Sequence, residues 1–410
     1  MTTAGERYRR GRALRAQVPR AAHAVWAPPS GRRPPAAPAA LRPAATPLAL
    51  LCATPAAMAA DLARTPVTGL DVQAAGDAHL LNFGAHTADA GPPLFGLTGY
   101  DHTHPGPWEW DVKRLAASLA VAALQNGHAE GAARYTARCA ATAYREWVRG
   151  FAEMSDIDVF TFRQAACGVL DGAPLRRRRP TRPGTARDGL PPLWRLTEAC
   201  DGARRITDDP PLLDHAGARP PDAFAAALTG YLRTLGEDAA ALLGGYRVTD
   251  AAREASGGHL VALTGRDEHD PLVLAVRPAG RSALAPHVRP AAFPDPGHRV
   301  VAGRRRIQPV PDPFLGWGAG PGGRRHVWCW LRDVPATPDP TRMRLESLAA
   351  YGAACAQALA RAHALTGDRI ALAGYLGSAD RFDRAVAAFA VAYAAQNAAD
   401  HREFRAARLT

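Results

Sequence analysis

The sequence predicts an α+β fold on three observations. The texture along the chain runs helical, then β-rich, then helical; the β-rich stretch consists of short apolar runs separated by Gly and Pro; and no internal repeat interrupts this plan. The chain has 410 residues, 47% hydrophobic and 21% charged, which is enough to bury a sizeable core and excludes wholesale disorder.

Residues 1–64 are expected to extend over that core. They open with the basic stretch Arg7–Arg20, followed by Pro-rich Ala27–Pro47, which buries little and wraps the surface or frays. Pro47–Ala60 is apolar but broken by Pro55, and falls short of the roughly 18 residues that a membrane span needs. It also lies too far inside for a signal peptide. Residues 65–244 form the first helical part. Asp111–Gln125 carries Val112, Leu115, Ala116, Leu119, Ala122 and Ala123 on one stripe, with Lys113 and Arg114 off it, and helix follows through Ala132–Met154. Residues 172–189 read as a loop, and the Arg176–Arg179 run within it as solvated, because no aromatic platform is interleaved. Ala223–Leu243 is a further helix.

Residues 245–335 are β-rich, with His259–Thr264, Leu272–Arg277, Arg299–Val301 and His326–Val334 as strands of an antiparallel sheet. Trp328 and Trp330 alternate with Cys329 and therefore share a face. Residues 336–410 complete the helical part with Leu345–Leu365 and Arg381–Arg408, split at Gly374–Gly377.

The formal charge is +12, yet of 50 basic residues only Lys113 is lysine. In a chain so rich in Ala, Gly and Pro this reads as coding bias rather than as an anionic partner. Neither nucleic acid nor membrane is expected; the partner is an unidentified small molecule or protein. Six scattered cysteines without a C-x-x-C pair argue against a zinc ribbon or a disulfide scaffold and for a cytoplasmic protein.

The strongest local signal is Gly76-Asp77-Ala78-His79-Leu80-Leu81-Asn82. An acid followed five residues later by Asn is the spacing of a kinase catalytic loop, where Asp takes the substrate hydroxyl's proton and Asn holds a metal. Asp77 and His79 are thus candidate catalytic residues and Asn82 a candidate metal ligand, with plain turn chemistry as the alternative. Gly106–Val112 resembles the segment after the metal-binding aspartate in small-molecule kinases such as aminoglycoside phosphotransferases. There Asp111 would brace the loop, or simply cap a helix. Lys113, the one lysine kept, is a second candidate brace or a chance survivor.

Gly76–Gly84, Gly106–Leu115, Phe314–Trp317, Leu331–Asp333, Leu359–Ala364 and Ala373–Gly377 together resemble a bacterial family, domain of unknown function 2252. Gly11–Arg15, Val18–Arg20, His23 and Phe389–His401 extend the resemblance over nearly the whole chain. It implies a protein-kinase-like two-lobed fold, ATP and Mg²⁺ as cofactors, and no settled substrate. The only candidate for the lysine-bearing strand, Leu272–Arg277, comes long after Asp77. The implied fold is therefore circularly permuted, with a helical lobe and a small antiparallel β lobe at about residues 245–335.

Departures from the family pattern fall on the chemistry. Thr98-Gly99-Tyr100-Asp101 stands where the family reads N-D-F-D, placing Gly99 at the metal-binding acid and leaving Asp101 as its candidate replacement. Ser256, Gly257 and Gly258 shorten the Gly-rich stretch, and Arg277 replaces the strand lysine; these four form the candidate cofactor-binding set. Ala302 stands at the acid of V-V-E-G-Q-R. Arginine pairs with phosphates but does not copy a compact ammonium, and Mg²⁺ at Gly99 loses an anionic ligand. The expectation is impaired or altered phosphotransfer, a pseudoenzyme or binding role. The first alternative is an active ATP-dependent small-molecule phosphotransferase with Asp77 as base. The second is a metal-dependent hydrolase using Asp77, His79, His86, Asp101, His102 and His104. His363, on an apolar helix face, reads as a hydrogen-bonded core histidine.

Overall fold

Segments of helical period gather into one body and segments of period two into one principal sheet, an α+β arrangement. The computed structural model describes residues 2–36, 45–88, 91–169, 175–176, 196–216, 218–255, 257–290, 292–332 and 337–409. Twelve α-helices and fourteen strands occur among them. The first half holds α1 (Ala4–Gln17), α2 (Pro47–Ala53), α3 (Pro55–Leu62), β1 (Asp71–Ala74), β2 (Phe83–His86), β3 (Leu94–Leu97), β4 (His104–Pro107), α4 (Trp108–Gln125), α5 (Glu130–Glu153), α6 (Asp156–Thr161) and β5 (Leu175–Arg176). The middle holds β6 (Thr197–Cys200), β7 (Ala203–Ile206), β8 (Leu213–Asp214), α7 (Pro221–Leu232), α8 (Glu237–Gly244), β9 (Arg247–Glu254), β10 (His259–Thr264) and β11 (Pro271–Pro278). Then come α9 (Pro296–Ile307), β12 (Gly316–Ala319), β13 (Arg325–Trp330), β14 (Thr337–Pro338), α10 (Leu345–Thr366), α11 (Arg369–Leu376) and α12 (Arg381–Leu409).

Helix α4 is the axis of the helical body. Every residue from Trp108 to Ala123 is buried, because Ala116, Ala117, Ala120, Ala122 and Ala123 let α5, α10 and α12 approach from several sides. The expected one-sided stripe is therefore corrected: Lys113 and Arg114 are 0% and 2% exposed. Helix α5 keeps the amphipathic pattern, burying Ala133, Ala137, Ala140, Ala141, Tyr144, Val148 and Phe151.

The principal sheet is antiparallel, in the order β12-β13-β11-β10-β9-β8. Strand alternation sorts its side chains between two cores. Val261, Leu263, Leu272, Leu274, Val276 and Trp328 pack with Phe224, Leu228 and Tyr231 of α7, and Trp330 joins them at the edge. Leu260, Ala262, Val273, Ala275, Val327 and Cys329 belong to the large core shared with the helical body. Trp328 stacks on Tyr231 at 4.8 Å.

Several expectations are corrected. Arg299–Val301 lies in α9, not in a strand. Asp295 caps that helix by accepting from the amides of Gly297 (2.8 Å) and His298 (3.1 Å), Pro296 opens it, and Arg304–Arg306 suit its C-terminal end. Ala223–Leu243 is two helices, with Gly236 at the N-cap of the second, and α7 packs on the sheet. The Gly374–Gly377 turn is the end of α11, closed by Gly377 at φ +66°. Arg177–Arg179, Asp333 and Val334 lie outside the described residues.

The N-terminal segment is tied down. Gly11 of α1 and Gly374 of α11 let the helices touch, since a Cβ on either would strike the other helix's backbone. Arg15 donates to the carbonyls of Gly374 and Tyr375, and Arg20 to that of Leu376 (2.6 Å), satisfying the last turn of α11. Arg32 bridges Asp61 of α3 (2.8 Å) and Asp400 of α12 (2.7 Å). Among the described residues no helix is long and apolar enough to cross a membrane.

Candidate functional site

Strands β1 and β4 pair antiparallel from Asp71↔Pro107 to Ala74↔His104, and α4 starts directly where β4 ends. The first turn of α4 therefore lies against the loop that leaves β1. Asp111 Oδ2 accepts from the amide of Ala75 (2.6 Å) and Oδ1 from that of Gly76 (3.0 Å). His363 Nε2 lies 3.2 Å from Asp111 Oδ2, and Tyr144 Oη lies 2.8 Å from His363 Nδ1, all of it buried. Asp111 is not an N-cap, that position being Pro107. Gly76 has φ +76°, and its Cα packs on the His102 backbone, so no side chain fits there.

The loop delivers Asp77. Its Oδ1 accepts from Arg114 Nε at 2.5 Å and also contacts Nη2; Oδ2 lies 3.3 Å from Asn82 Nδ2 and 3.6 Å from His79 Nε2. Asn82 Nδ2 also donates to the Asp77 carbonyl at 2.7 Å, closing the loop on itself. Burial pushes the Asp77 carboxyl upward, but Arg114, His79 and His102 outweigh it and hold the group below the ordinary value. Burial lowers His79 to about 4, with Asp77 opposing. Asp77, His79 and Asn82 are thus brought together, with Arg114 answering the acid. Arg114 reaches on to Leu51 O (3.2 Å) and Met58 Sδ (3.3 Å), so α2 and α3 back the pair.

Gly99 adjoins this group. A Cβ on it would lie 2.5 Å from Asn82 Cγ and 2.6 Å from Asn82 Oδ1. The Asp101 carboxylate is exposed and makes no hydrogen bond or ion pair among the described residues; only its backbone carbonyl is held, by Arg299 Nη2 at 2.8 Å. The histidines near it are occupied separately. His86 Nε2 lies 2.7 Å from Leu97 O, His104 Nδ1 lies 2.8 Å from Pro105 O, and His102 Nδ1 accepts from the Ala283 amide at 3.1 Å. His104 is 1% exposed in β4. Among the described residues, no three His, Cys, Asp or Glu side chains are grouped to hold a metal ion.

The sheet supplies a second cluster. Arg277 follows Val273 and Ala275 on the face toward the helical body. Its Nε lies 3.6 Å from Glu254 Oε2; burial lowers the guanidinium's pKa, but Cys329, Glu254 and Asp101 outweigh that and raise it. Gly257, at φ +88°, turns β9 into β10, with Gly257 N donating to Glu254 O and Glu254 N to Gly258 O, both at 2.9 Å. A Cβ on Gly258 would come 2.9 Å from Glu254 Oε2 and 3.3 Å from Arg277 Cγ. Gly257, Gly258 and Arg277 are therefore neighbours; Ser256 lies outside the described residues. Ala302 sits on α9, two residues before Arg304, whose guanidinium lies 5.2 Å over the Tyr100 ring.

Lys113 is not held by the loop. Its Nζ faces the Phe389 ring at 5.0 Å and has no hydrogen-bond partner among the described residues. Glu109, one turn earlier and equally buried, accepts from Thr68 N (2.7 Å) and Oγ1 (2.6 Å). Burial lowers Lys113 and raises Glu109, each against the pull of the other's charge.

Sequence reasoning missed Arg114 as a partner of Asp77. The available signal was position, three residues after Asp111 on a helix with too many apolar neighbours to leave a face wet. Residues 41–407 match a family described as uncharacterized protein conserved in bacteria, DUF2252. No curated protein and no solved structure matches the chain.

Proposed function

We propose that this chain, which belongs to the DUF2252 family, is a divergent kinase-like protein that binds a nucleotide where the sheet meets the helical body and transfers phosphate poorly or not at all. The order of parts supports the kinase-like reading. A glycine hairpin joins β9 to β10, a basic residue stands on the next strand, β11, and helix α9 follows. Kinases place a Gly-rich loop, a lysine on the third strand and an acid on the helix after it in the same order. Here these parts follow the Asp77 loop instead of preceding it, a circular permutation. The packing of α1 on α11 and the Arg32–Asp400 pair, which bring the two ends of the chain close, are compatible with that.

Gly99 carries the functional reading. Where the metal-binding carboxylate would stand, Asn82 fills the space, and the nearby Asp77 carboxylate is already turned to the Arg114 guanidinium. The residues present do not fit Mg²⁺. They do fit phosphate oxygens, through Arg277 and the Gly257–Gly258 turn. Asp77 remains, but general-base help worth about 10²–10⁴-fold acts only on phosphates already held in place.

The test is thermal denaturation with ATP, in EDTA and then with Mg²⁺ or Mn²⁺. Ligand at 100 times its Kd stabilises by about 2.7 kcal/mol. The expected result is a rise in midpoint that metal does not enlarge, with no ADP formed. A metal-dependent rise with turnover lost in Asp77→Ala would instead favour an active phosphotransferase with Asp101 recruited. No shift with any nucleotide would remove the nucleotide from the reading.

A further inference from the structure

We propose that His102 is a ligand-contacting residue of this site, donating Nε2–H to an oxygen of a phosphate group bound beside Asp77; this rests on the nucleotide-binding reading above. Gly76, the residue before Asp77, packs its Cα directly on the His102 backbone, so the imidazole stands next to the loop. The ring's tautomer is set from the other side. The Ala283 amide donates to Nδ1 at 3.1 Å, which places the proton of the neutral ring on Nε2.

The backbone carrying the ring is fixed as well. Ser282 Oγ donates to His102 O at 2.6 Å, while Arg299 holds the carbonyls of Asp101 (2.8 Å), Thr103 and Gly280 (2.9 Å). The half-buried ring makes no hydrogen bond through Nε2 among the described residues. Burial keeps its pKa below the ordinary value, with Asp77 and Asp101 opposing. Arg114 already answers the Asp77 charge, so an anionic group can approach.

The experiment is calorimetric titration of the full chain with ATP, and separately with inorganic phosphate, in EDTA. His102→Asn keeps an acceptor for the Ala283 amide but has no atom at the Nε2 position, whereas His102→Gln puts a donor near it. We expect His102→Asn to weaken binding about tenfold to a hundredfold and His102→Gln by much less, the scale of one hydrogen bond to a charged acceptor. Equal binding by His102→Asn and wild type would overturn the proposal and leave the nucleotide reading standing. Wild-type chain that binds neither probe would overturn both. Histidine ¹⁵N spectra give an independent readout: a His102 ring protonated at Nδ1 would sink the assignment whatever the affinities.

Discussion

Asp77 engages a guanidinium through its own fold before any ligand arrives. Arg114 is 3% exposed in its side chain and Asp77 14%, so Asp77→Ala leaves a mostly buried cation unanswered and should cost about 3 kcal/mol at pH 7, read by urea denaturation. The folded-state pKa of Asp77 lies below 3.8, so its contribution is full above that value and is lost as pH falls through the lowered one. The deficit of the variant should therefore shrink in acid; an undiminished deficit at pH 2 would refute the pairing. Gly99→Ala should cost about 1–3 kcal/mol by crowding Asn82, and Gly99→Asp should cost at least as much without making the ATP shift metal-dependent. Lys113→Met combined with Glu109→Gln removes a buried ammonium and the buried carboxylate that answers it, and should raise stability at pH 7 by about 1–2 kcal/mol. Because the folded Lys113 value lies below 10.5, its charge costs stability beneath that lowered value and the cost fades toward pH 10.5. The Lys113 share of the variant's advantage should fade with it, and a variant less stable than wild type at both ends would contradict this. The Asp77–Asn82 spacing was readable because both residues belong to one loop. The Arg114 partner was not, since that pairing depends on how α4 crosses beneath the loop.

At the scale of elements, the glycine crossing of α1 and α11 is the contact most sensitive to a single carbon. Gly374→Ala would drive a methyl group into the Tyr8 carbonyl and should loosen α1, read as faster amide hydrogen exchange across residues 4–17 with little change in α4. Unchanged exchange in α1 would show that Arg15 and Arg20 hold it without the close approach. Helices α5, α10 and α12 were legible from their periodicity. Helix α9 was not, because Arg299-Val300-Val301 is a β-branched run whose helical state is decided by Asp295 and Pro296 just before it. Helix α4 was placed correctly but its surroundings were not, since an alanine-rich helix can be packed on every side.

Across the whole molecule, the principal sheet lies between two cores and its strands contribute side chains to both. Leu274 faces one core and Val273 the other, so the halves should not unfold separately. Leu274→Ala should lower stability by about 2–5 kcal/mol while leaving one transition, followed together by tryptophan fluorescence and far-UV dichroism. Two resolved transitions would mean that the cores are independent. The α+β class was legible because composition changes along the chain with the packing. The closeness of both ends was not, because it depends on contacts such as Arg32 with Asp400, between residues hundreds apart in sequence. The position of the single lysine has a practical outcome. Lys113 is sealed at the centre of the helical body, so an amine-reactive label reaches it only during opening. One side-chain acylation, counted by mass, thus becomes a clock for the opening of this fold, with none of the background that a lysine-rich surface would add.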